Sequence, residues 1–152
     1  MVQTFSDNKY IYSVDMMFVY LHHHKHTIIK AKVSDFLHQL EYNGWGNPAK
    51  KIKFSPAEVI KHPKKYKSDY ERILKANLNY PVIIDSDNDI VDGMHRLSKA
   101  YLQGKKFIRA YYFNRNLMKK FIIGKKGEWD KIDNMKFYEL MDIYLKRFCP
   151  NC

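Results

Sequence analysis

Cysteine is scarce in this chain of 152 residues, which has only Cys149 and Cys152. Two cysteines at the C-terminal end make no disulfide framework; a frayed tail is the simple interpretation, and shared zinc or an intermolecular disulfide is the alternative. No apolar run approaches the length of a membrane span. The first residues lack the basic and apolar stretches of a secretory signal. We therefore expect an intracellular protein, cytoplasmic or nuclear, with no membrane partner.

Acidic residues are few relative to basic ones. The chain has 16 Asp and Glu against 27 Lys and Arg, a net charge of +11. Such an excess favours polyanionic partners, among them nucleotides and nucleic acids. The lysines are dispersed along the chain, however, and dispersed lysine is more typical of a solvated surface than of a binding stripe.

The length and the alternation of short strand and helix patterns predict a single α+β domain over residues 1–152. Within it we distinguish an N-terminal elaboration (1–48), a core (49–113) and a C-terminal strand and helix (114–152). Residues 9–21 are rich in Tyr, Val, Ile and Phe and predict one or two strands. A further strand is predicted over 27–32, and a helix over 35–42 with Ser34 as its N-cap.

Histidines and an isolated tryptophan are the candidates for chemistry in the N-terminal part. The run His22–His26 would place alternate imidazoles on one face of an extended chain, which suits a metal, but an exposed hairpin tip is the favoured interpretation. Residues 43–48 predict a loop. Trp45 within that loop either stacks on a nucleobase or holds the loop against the core.

The core is predicted to open with a strand over 52–54. Ser55 and Pro56 then predict the start of a short helix. A second helix is predicted over 69–77, with Tyr70, Ile73, Leu74 and Leu78 as its buried stripe.

The stretch from Pro81 to Phe113 carries the strongest pattern in the chain. An apolar run over 81–84, a polar turn over 85–89 and Ile90-Val91 predict two short strands. From Met94 the apolar period becomes helical, Gly104 ends the helix, and a last strand is predicted over 107–113. Beyond it, we predict an edge strand over 121–123 and a final helix from Asn134 to about Phe148.

Candidate site residues cluster where the second of these strands passes into the helix. His95 and Arg96 lie in the first turn of the predicted helix, where free N–H groups favour an anion such as phosphate. Gly93 permits close approach of that anion and a positive φ. Asp92 suits Mg²⁺ or a hydroxyl proton, and Ser98 would add a hydroxyl one turn later. The simpler interpretation is a turn with a surface arginine.

The motif Asp92-Gly93-Met94-His95-Arg96 in this frame resembles the ParB/sulfiredoxin-like superfamily over residues 52–113. The resemblance implies a small mixed sheet flanked by helices. It also implies a turn that holds the phosphates of ATP or another nucleotide with Mg²⁺, with Asp92 as the metal ligand and Asp92, His95 and Arg96 as the catalytic group. Gly93, Met94, His95, Arg96 and Ser98 would be the nucleotide-binding residues.

Two departures from the family bear on the activity. Met94 stands where sulfiredoxins have a reactive cysteine, which argues against their chemistry. Residues 60–65 contain no carboxylate where the family's free-serine kinases have their proposed base, so Glu58, Asp69 or Glu71 would have to substitute.

Three functions follow from these observations. The favoured one is a nucleotide-dependent phosphotransferase or nucleotide hydrolase, and it predicts that Arg96→Ala abolishes nucleotide binding without affecting the fold. The alternative is a basic DNA- or RNA-binding module or a ParB-like nuclease. Asp85, Asp87 and Asp89 are available to a nuclease as metal ligands, although the simpler interpretation is that they are turn residues. The third is an inactive descendant that keeps the motif as a turn.

Overall fold

The computed structural model describes residues 2–47 and 50–151. It is an α+β protein, as predicted, and the chain forms two compact units. One comprises the residues up to Thr27 with those from Phe113 onward, and the other comprises Ile28–Tyr112. The boundary predicted at residue 48 lies outside the described residues. The prediction of one domain stays a prediction, because two compact units can belong to a single domain.

The strands are β1 (Thr4–Ser6), β2 (Tyr10–Ser13), β3 (Ile28–Lys32), β4 (Trp45–Asn47), β5 (Ile52–Phe54), β6 (Val82–Asp85), β7 (Ile90–Asp92), β8 (Phe107–Phe113) and β9 (Ile122–Lys125). The α-helices are α1 (Val14–His23), α2 (Pro56–Lys61), α3 (Lys67–Lys75), α4 (Met94–Leu102), α5 (Arg115–Lys119), α6 (Trp129–Asp133) and α7 (Phe137–Phe148). A 3-10 helix covers Val33–Glu41.

The unit Ile28–Tyr112 is built on a four-stranded sheet with the order β3-β8-β6-β7. One face of this sheet packs against α4 and the 3-10 helix. Its core contains, among others, Ala31, Ile108 and Ala110 from the strands, Leu97 and Ala100 from α4, and Phe36 and Leu40 from the 3-10 helix. This packing fixes the position of the start of α4 relative to the sheet.

A second, smaller core lies in the same unit. The two-stranded antiparallel sheet of β4 and β5 adjoins α2 and α3, and Phe54, Val59 and Ile73 are buried together with Trp45 packed against them. Ser55 caps α2 by accepting a hydrogen bond from the Glu58 N–H at 3.2 Å, as predicted. Lys99 of α4 donates to the Ala76 carbonyl at 2.7 Å, which ties the end of α3 to α4.

The other unit contains an antiparallel sheet with the order β1-β2-β9. Its helix α1 begins directly after β2, where the Ser13 hydroxyl accepts a hydrogen bond from the Met16 N–H at 3.1 Å. Helix α7 buries Leu140 and Tyr144 and presents Phe137 and Leu145 to solvent.

Three predictions about the elements are wrong, and local capping or long-range pairing explains the first two. Residues 14–21 form helix rather than strand, because Ser13 is an N-cap and Asp15 lies in the first helical turn. Residues 45–47 form a strand rather than a loop, because they pair with β5. Leu74 of α3 is 50% exposed rather than buried.

The prediction of a hairpin tip at the histidine run is also wrong. His22 and His23 belong to the last turn of α1, and the His24 ring stacks on Tyr20 with centroids 4.5 Å apart. The group of side chains that could hold a metal, within the described ranges, does not include these histidines.

The C-terminal end is described as far as residue 151. Cys149 follows α7 and is disulfide-bonded, whereas Cys152 lies outside the described residues. Within residues 2–47 and 50–151, we find no helix with both the length and the apolar character needed to cross a bilayer.

Candidate functional site

The turn between β7 and α4 has the geometry that the sequence predicts. Gly93 adopts φ 116°, and α4 begins at the next residue. A Cβ atom at this position would lie 2.5 Å from Cγ1 of Val82, which is fully buried in β6. Glycine is therefore required here both by the backbone conformation and by the close approach of β6.

Arg96 is held in place by three acceptors. Its Nη1 donates to the carbonyls of Pro81 at 2.7 Å and Tyr80 at 3.2 Å. Its Nη2 donates to Oδ2 of Asp92 at 2.8 Å, an ion pair that offsets the unfavourable position of a cation in the first turn of a helix. Because Arg96 joins α4 to the segment before β6, its removal would also disturb the fold, contrary to the sequence-based expectation for Arg96→Ala.

His95 stacks on Trp45 of β4, with ring centroids 4.5 Å apart and planes inclined by 17°. Its Nε2 is buried and has no hydrogen-bond partner among the described residues. Burial lowers the pKa of His95 below its ordinary 6.5, and the charges of Arg72 and Arg96 lower it further, against the opposing effect of Asp69 and Asp92. The imidazole is thus uncharged at neutral pH.

An open cavity of about 600 Å³ lies over the start of α4. Its lining comprises Arg72, Lys75, Ala76, Asn77, Tyr80, Val91, Asp92, Gly93, Met94, His95 and Arg96. Three of these residues are cations and one is a carboxylate, so the cavity is positively charged. Of the predicted site residues, Asp92 to Arg96 are therefore brought together around one space.

Ser98 does not join this group. It is fully buried, and its hydroxyl donates to the Met94 carbonyl at 2.7 Å. A serine hydroxyl in a helix commonly bonds the carbonyl four residues earlier. Ser98 therefore lies on the face of α4 that packs against the core, and it does not line the cavity.

Arg72 and Lys75 are the functional candidates that sequence reasoning missed. Both are exposed residues of α3, one helical turn apart, and neither forms an ion pair or side-chain hydrogen bond within the described part of the chain. Their i, i+3 spacing indicates a shared helix face, but no feature of the sequence indicates that this face borders the turn at Gly93. Only the packing of α3 beside α4 does so.

A second cavity of about 360 Å³ shares Arg72 with the first. It is lined by Gly46, Lys50, Ile52, Phe54, Ser68, Asp69 and Arg72. Glu58, Asp69 and Glu71 were the three carboxylates that could substitute for the missing base. Of these, Asp69 lines this second cavity, which adjoins the positively charged cavity at Arg72. Glu58 instead lies 3.8 Å from the His62 ring.

The aspartates that a nuclease would use lie in the turn between β6 and β7. Carboxylate oxygens of Asp85, Asp87 and Asp89 fall within 4.8 Å of one another. Asp85 is buried and its Oδ1 accepts the N–H groups of Asp87 at 2.9 Å and Asp89 at 3.0 Å. Asp89 in turn accepts from Gln39 at 2.8 Å. These bonds account for the carboxylates of Asp85 and Asp89 without a metal.

The lowered pKa of His95 makes the free energy of unfolding depend on pH. Between pH 6.5 and its lowered pKa, the unfolded chain binds a proton that the folded chain does not, so the free energy of unfolding falls as the pH falls through this window. We expect the His95→Gln variant to lack this component in urea titrations made at several pH values.

The same His95 pKa should respond to the neighbouring cation. Arg72→Gln removes a charge that lowers the pKa, so the midpoint of the His95 ring signal in NMR should rise towards 6.5. Lys67→Gln removes one charge from the same helix outside the cavity and is the matched control. A midpoint unchanged in Arg72→Gln would contradict the proximity of the two side chains.

Comparisons of the chain with protein-family models, with curated proteins and with solved structures find no match.

Proposed function

We propose that this chain is a nucleotide-binding enzyme of the ParB/sulfiredoxin-like superfamily that transfers or hydrolyses a phosphoryl group. The sheet β3-β8-β6-β7 with α4 would be the family's sheet and phosphate-binding helix. The observation that carries the proposal is the cavity over the start of α4, where Arg72 and Lys75 have no anionic partner among the described residues. Two such cations beside a helix N-terminus provide a strong site for a polyphosphate.

The phosphates would lie against the first turn of α4. The N–H groups of this turn are not used by the helix itself, and the turn from Gly93 to Arg96 lines the cavity. Arg72 and Lys75 would contact the same phosphates from the side of α3. Arg96 would act mainly by fixing the turn, because its guanidinium already has three acceptors.

Asp92 is the residue that would hold Mg²⁺. One of its oxygens accepts from Arg96, and it is the one carboxylate among the residues that line the cavity. A single carboxylate suits Mg²⁺ that arrives with a nucleotide, because Mg²⁺ keeps water and phosphate oxygens as its other ligands. When bound, the ion would offset the charge of the transferring phosphoryl group.

The uncharged ring of His95 and the carboxylate of Asp69 are the groups that could accept a proton. The His95 ring is held by its stacking on Trp45, and Asp69 lines the second cavity together with Arg72. A neutral imidazole near pH 7 has the protonation state that a general base needs. The phosphoryl acceptor would then enter between α3 and β4.

The test is a thermal-shift panel of ATP, ADP, CTP and GTP, each with and without Mg²⁺. A ligand that binds only the folded state at a hundred times its Kd stabilises it by about 2.7 kcal/mol. For a chain of this size we therefore expect the Tm to rise by roughly 5–10 °C with the cognate nucleotide.

Release of inorganic phosphate or transfer to an added acceptor, measured with the same nucleotide, separates an enzyme from a binding protein. Inorganic phosphate at equal ionic strength is the control for general anion effects. If all four nucleotides leave the Tm unchanged at millimolar concentration, the proposed function is wrong.

A further inference from the structure

The second surface of interest is the face of the four-stranded sheet that lies opposite α4. Strands β3 and β8 pair in antiparallel register, with Ile28 opposite Tyr111, Lys30 opposite Arg109, and Lys32 opposite Phe107. The alternate residues Ala31, Ile108 and Ala110 are buried in the core with α4. Because side chains alternate along a strand, the three cross-strand pairs share the opposite face, which we call the outer face.

The part of the outer face formed by β3 and by β8 from Phe107 to Arg109 is exposed to solvent and combines cations with an aromatic ring. Lys30, Lys32 and Arg109 are exposed, and the Phe107 side chain is 51% exposed. Tyr111 continues the series at the other end and is half-buried. Along β8 the order is therefore aromatic, cation, aromatic, at spacings of about 7 Å.

The positive charges of the outer face destabilise the folded sheet. Lys30 and Arg109 are directly opposite each other, and like charges in a cross-strand pair destabilise a sheet. None of Lys30, Lys32 and Arg109 forms an ion pair with an acidic side chain in the part of the chain that the structure describes. Among residues 2–47 and 50–151, no ion pair compensates the repulsion between these cations.

Protection of a sheet edge explains only part of this pattern. β3 is an edge strand, and lysines on an edge strand prevent pairing with other chains. This accounts for Lys30 and Lys32. It does not account for Arg109 and Phe107, because they lie on the inner strand β8, and a half-exposed phenylalanine promotes association rather than preventing it.

We infer that the outer face binds single-stranded nucleic acid, with a base stacked on Phe107 and phosphates held by Lys30, Lys32 and Arg109. Aromatic rings interleaved with cations on an open surface are the recurring means of binding unpaired strands. A duplex keeps its bases stacked inside and cannot offer one to Phe107. The inference does not depend on the α4 cavity, because the two surfaces lie on opposite faces of the sheet.

The test measures fluorescence anisotropy of a labelled oligo(dT) of about 12 nucleotides over a range of salt concentrations. Loss of the stacking ring in Phe107→Ala should weaken binding about tenfold. Tyr101→Ala, which removes an exposed aromatic ring from α4, is the matched control and should leave the affinity unchanged.

The phosphate contacts are tested by the salt dependence of binding. Each contact with a single strand contributes about −0.7 to the slope of log K against log salt, so Lys30→Gln with Arg109→Gln should reduce its magnitude by about 1.4. Lys61→Gln with Lys64→Gln removes the same charge from exposed positions outside the outer face. If the slope falls by the same amount in both double variants, net charge alone explains the salt dependence, and the inference is overturned.

Lys30→Glu separates a binding role from a structural one. Glutamate opposite Arg109 turns a repulsive pair into an attractive one, so the Tm of the free protein should rise by about 1–3 °C. The affinity for oligo(dT) should fall by tenfold or more. If Lys30→Glu loses both stability and binding, the inference is contradicted. It is also contradicted if the protein binds phosphatidylserine vesicles or a DNA duplex but does not bind oligo(dT).

Discussion

Replacement of both Arg72 and Lys75 by alanine is expected to lower the affinity for the cognate nucleotide by about a hundredfold or more. A hydrogen bond to a charged group contributes about 1.5–3 kcal/mol, so the loss of two such contacts amounts to at least about 3 kcal/mol. The measurement is isothermal titration calorimetry with the nucleotide that gives the largest thermal shift.

The double variant should fold normally. Both side chains are exposed and have no hydrogen bond or ion pair in the described ranges, so the free energy of unfolding should change little. Lys67→Ala removes a cation from the first turn of the same helix, outside the cavity, and is the control. Unchanged affinity in the double variant would place the phosphates elsewhere and refute the proposed site.

This variant is a sharper test than Arg96→Ala. Arg96 holds the carbonyls of Tyr80 and Pro81 as well as Asp92. Its loss would leave these acceptors without their donor and would weaken the junction between α4 and β6. A loss of binding in Arg96→Ala would therefore not separate a lost phosphate contact from a displaced turn.

Gly93→Ala is expected to destabilise the protein by about 2–5 kcal/mol, the largest stability effect that we predict. A left-handed backbone costs an alanine about 1–2 kcal/mol. The added Cβ would lie 2.5 Å from Cγ1 and 2.9 Å from Cβ of the buried Val82, and overpacking of this kind costs about 1–3 kcal/mol more. Urea unfolding of the two proteins gives the difference directly.

Gly104→Ala separates the two contributions. Gly104 also has a positive φ, 66°, but a Cβ atom there would meet no atom within 4 Å. It should therefore show the backbone cost alone, about 1–2 kcal/mol. Equal destabilisation of Gly93→Ala and Gly104→Ala would show that β6 does not approach the turn closely.

A double-mutant cycle with Val82→Ala completes this test. Removal of the Val82 methyl groups leaves a cavity in the wild-type core but provides space for the Cβ atom of Ala at position 93. The combined loss of stability should therefore be smaller than the sum of the two single losses.

The region from β6 to β8 was predictable because its signals are local. The start of α4 at Met94 and the limits of β8 at Phe107 and Phe113 match the sequence-based prediction. A change of apolar period from two to the helical repeat and a glycine at each end of α4 define these elements without reference to the rest of the chain. The grouping of Asp92 to Arg96 follows from the same short segment.

The segment after β2 shows why a composition rich in β-forming residues was misleading. Its Val, Phe and Tyr residues favour a strand, yet residues 14–23 are helical. Strand propensity reflects packing against neighbouring strands, which a local sequence does not specify. The N-cap at Ser13 was a local signal for the helix that the prediction did not use.

By itself, the sequence determined the α+β class, the turn at Gly93 and the positive charge of the protein, because these depend on residue types and short-range spacing. The tertiary structure decided which cations the turn meets. It placed Arg72 and Lys75 beside the turn, Trp45 against His95 and the Ser98 hydroxyl in the core, and it aligned Lys30 with Arg109. These contacts join residues that are distant in the chain, and only the packing of helices and the register of strands brings them together.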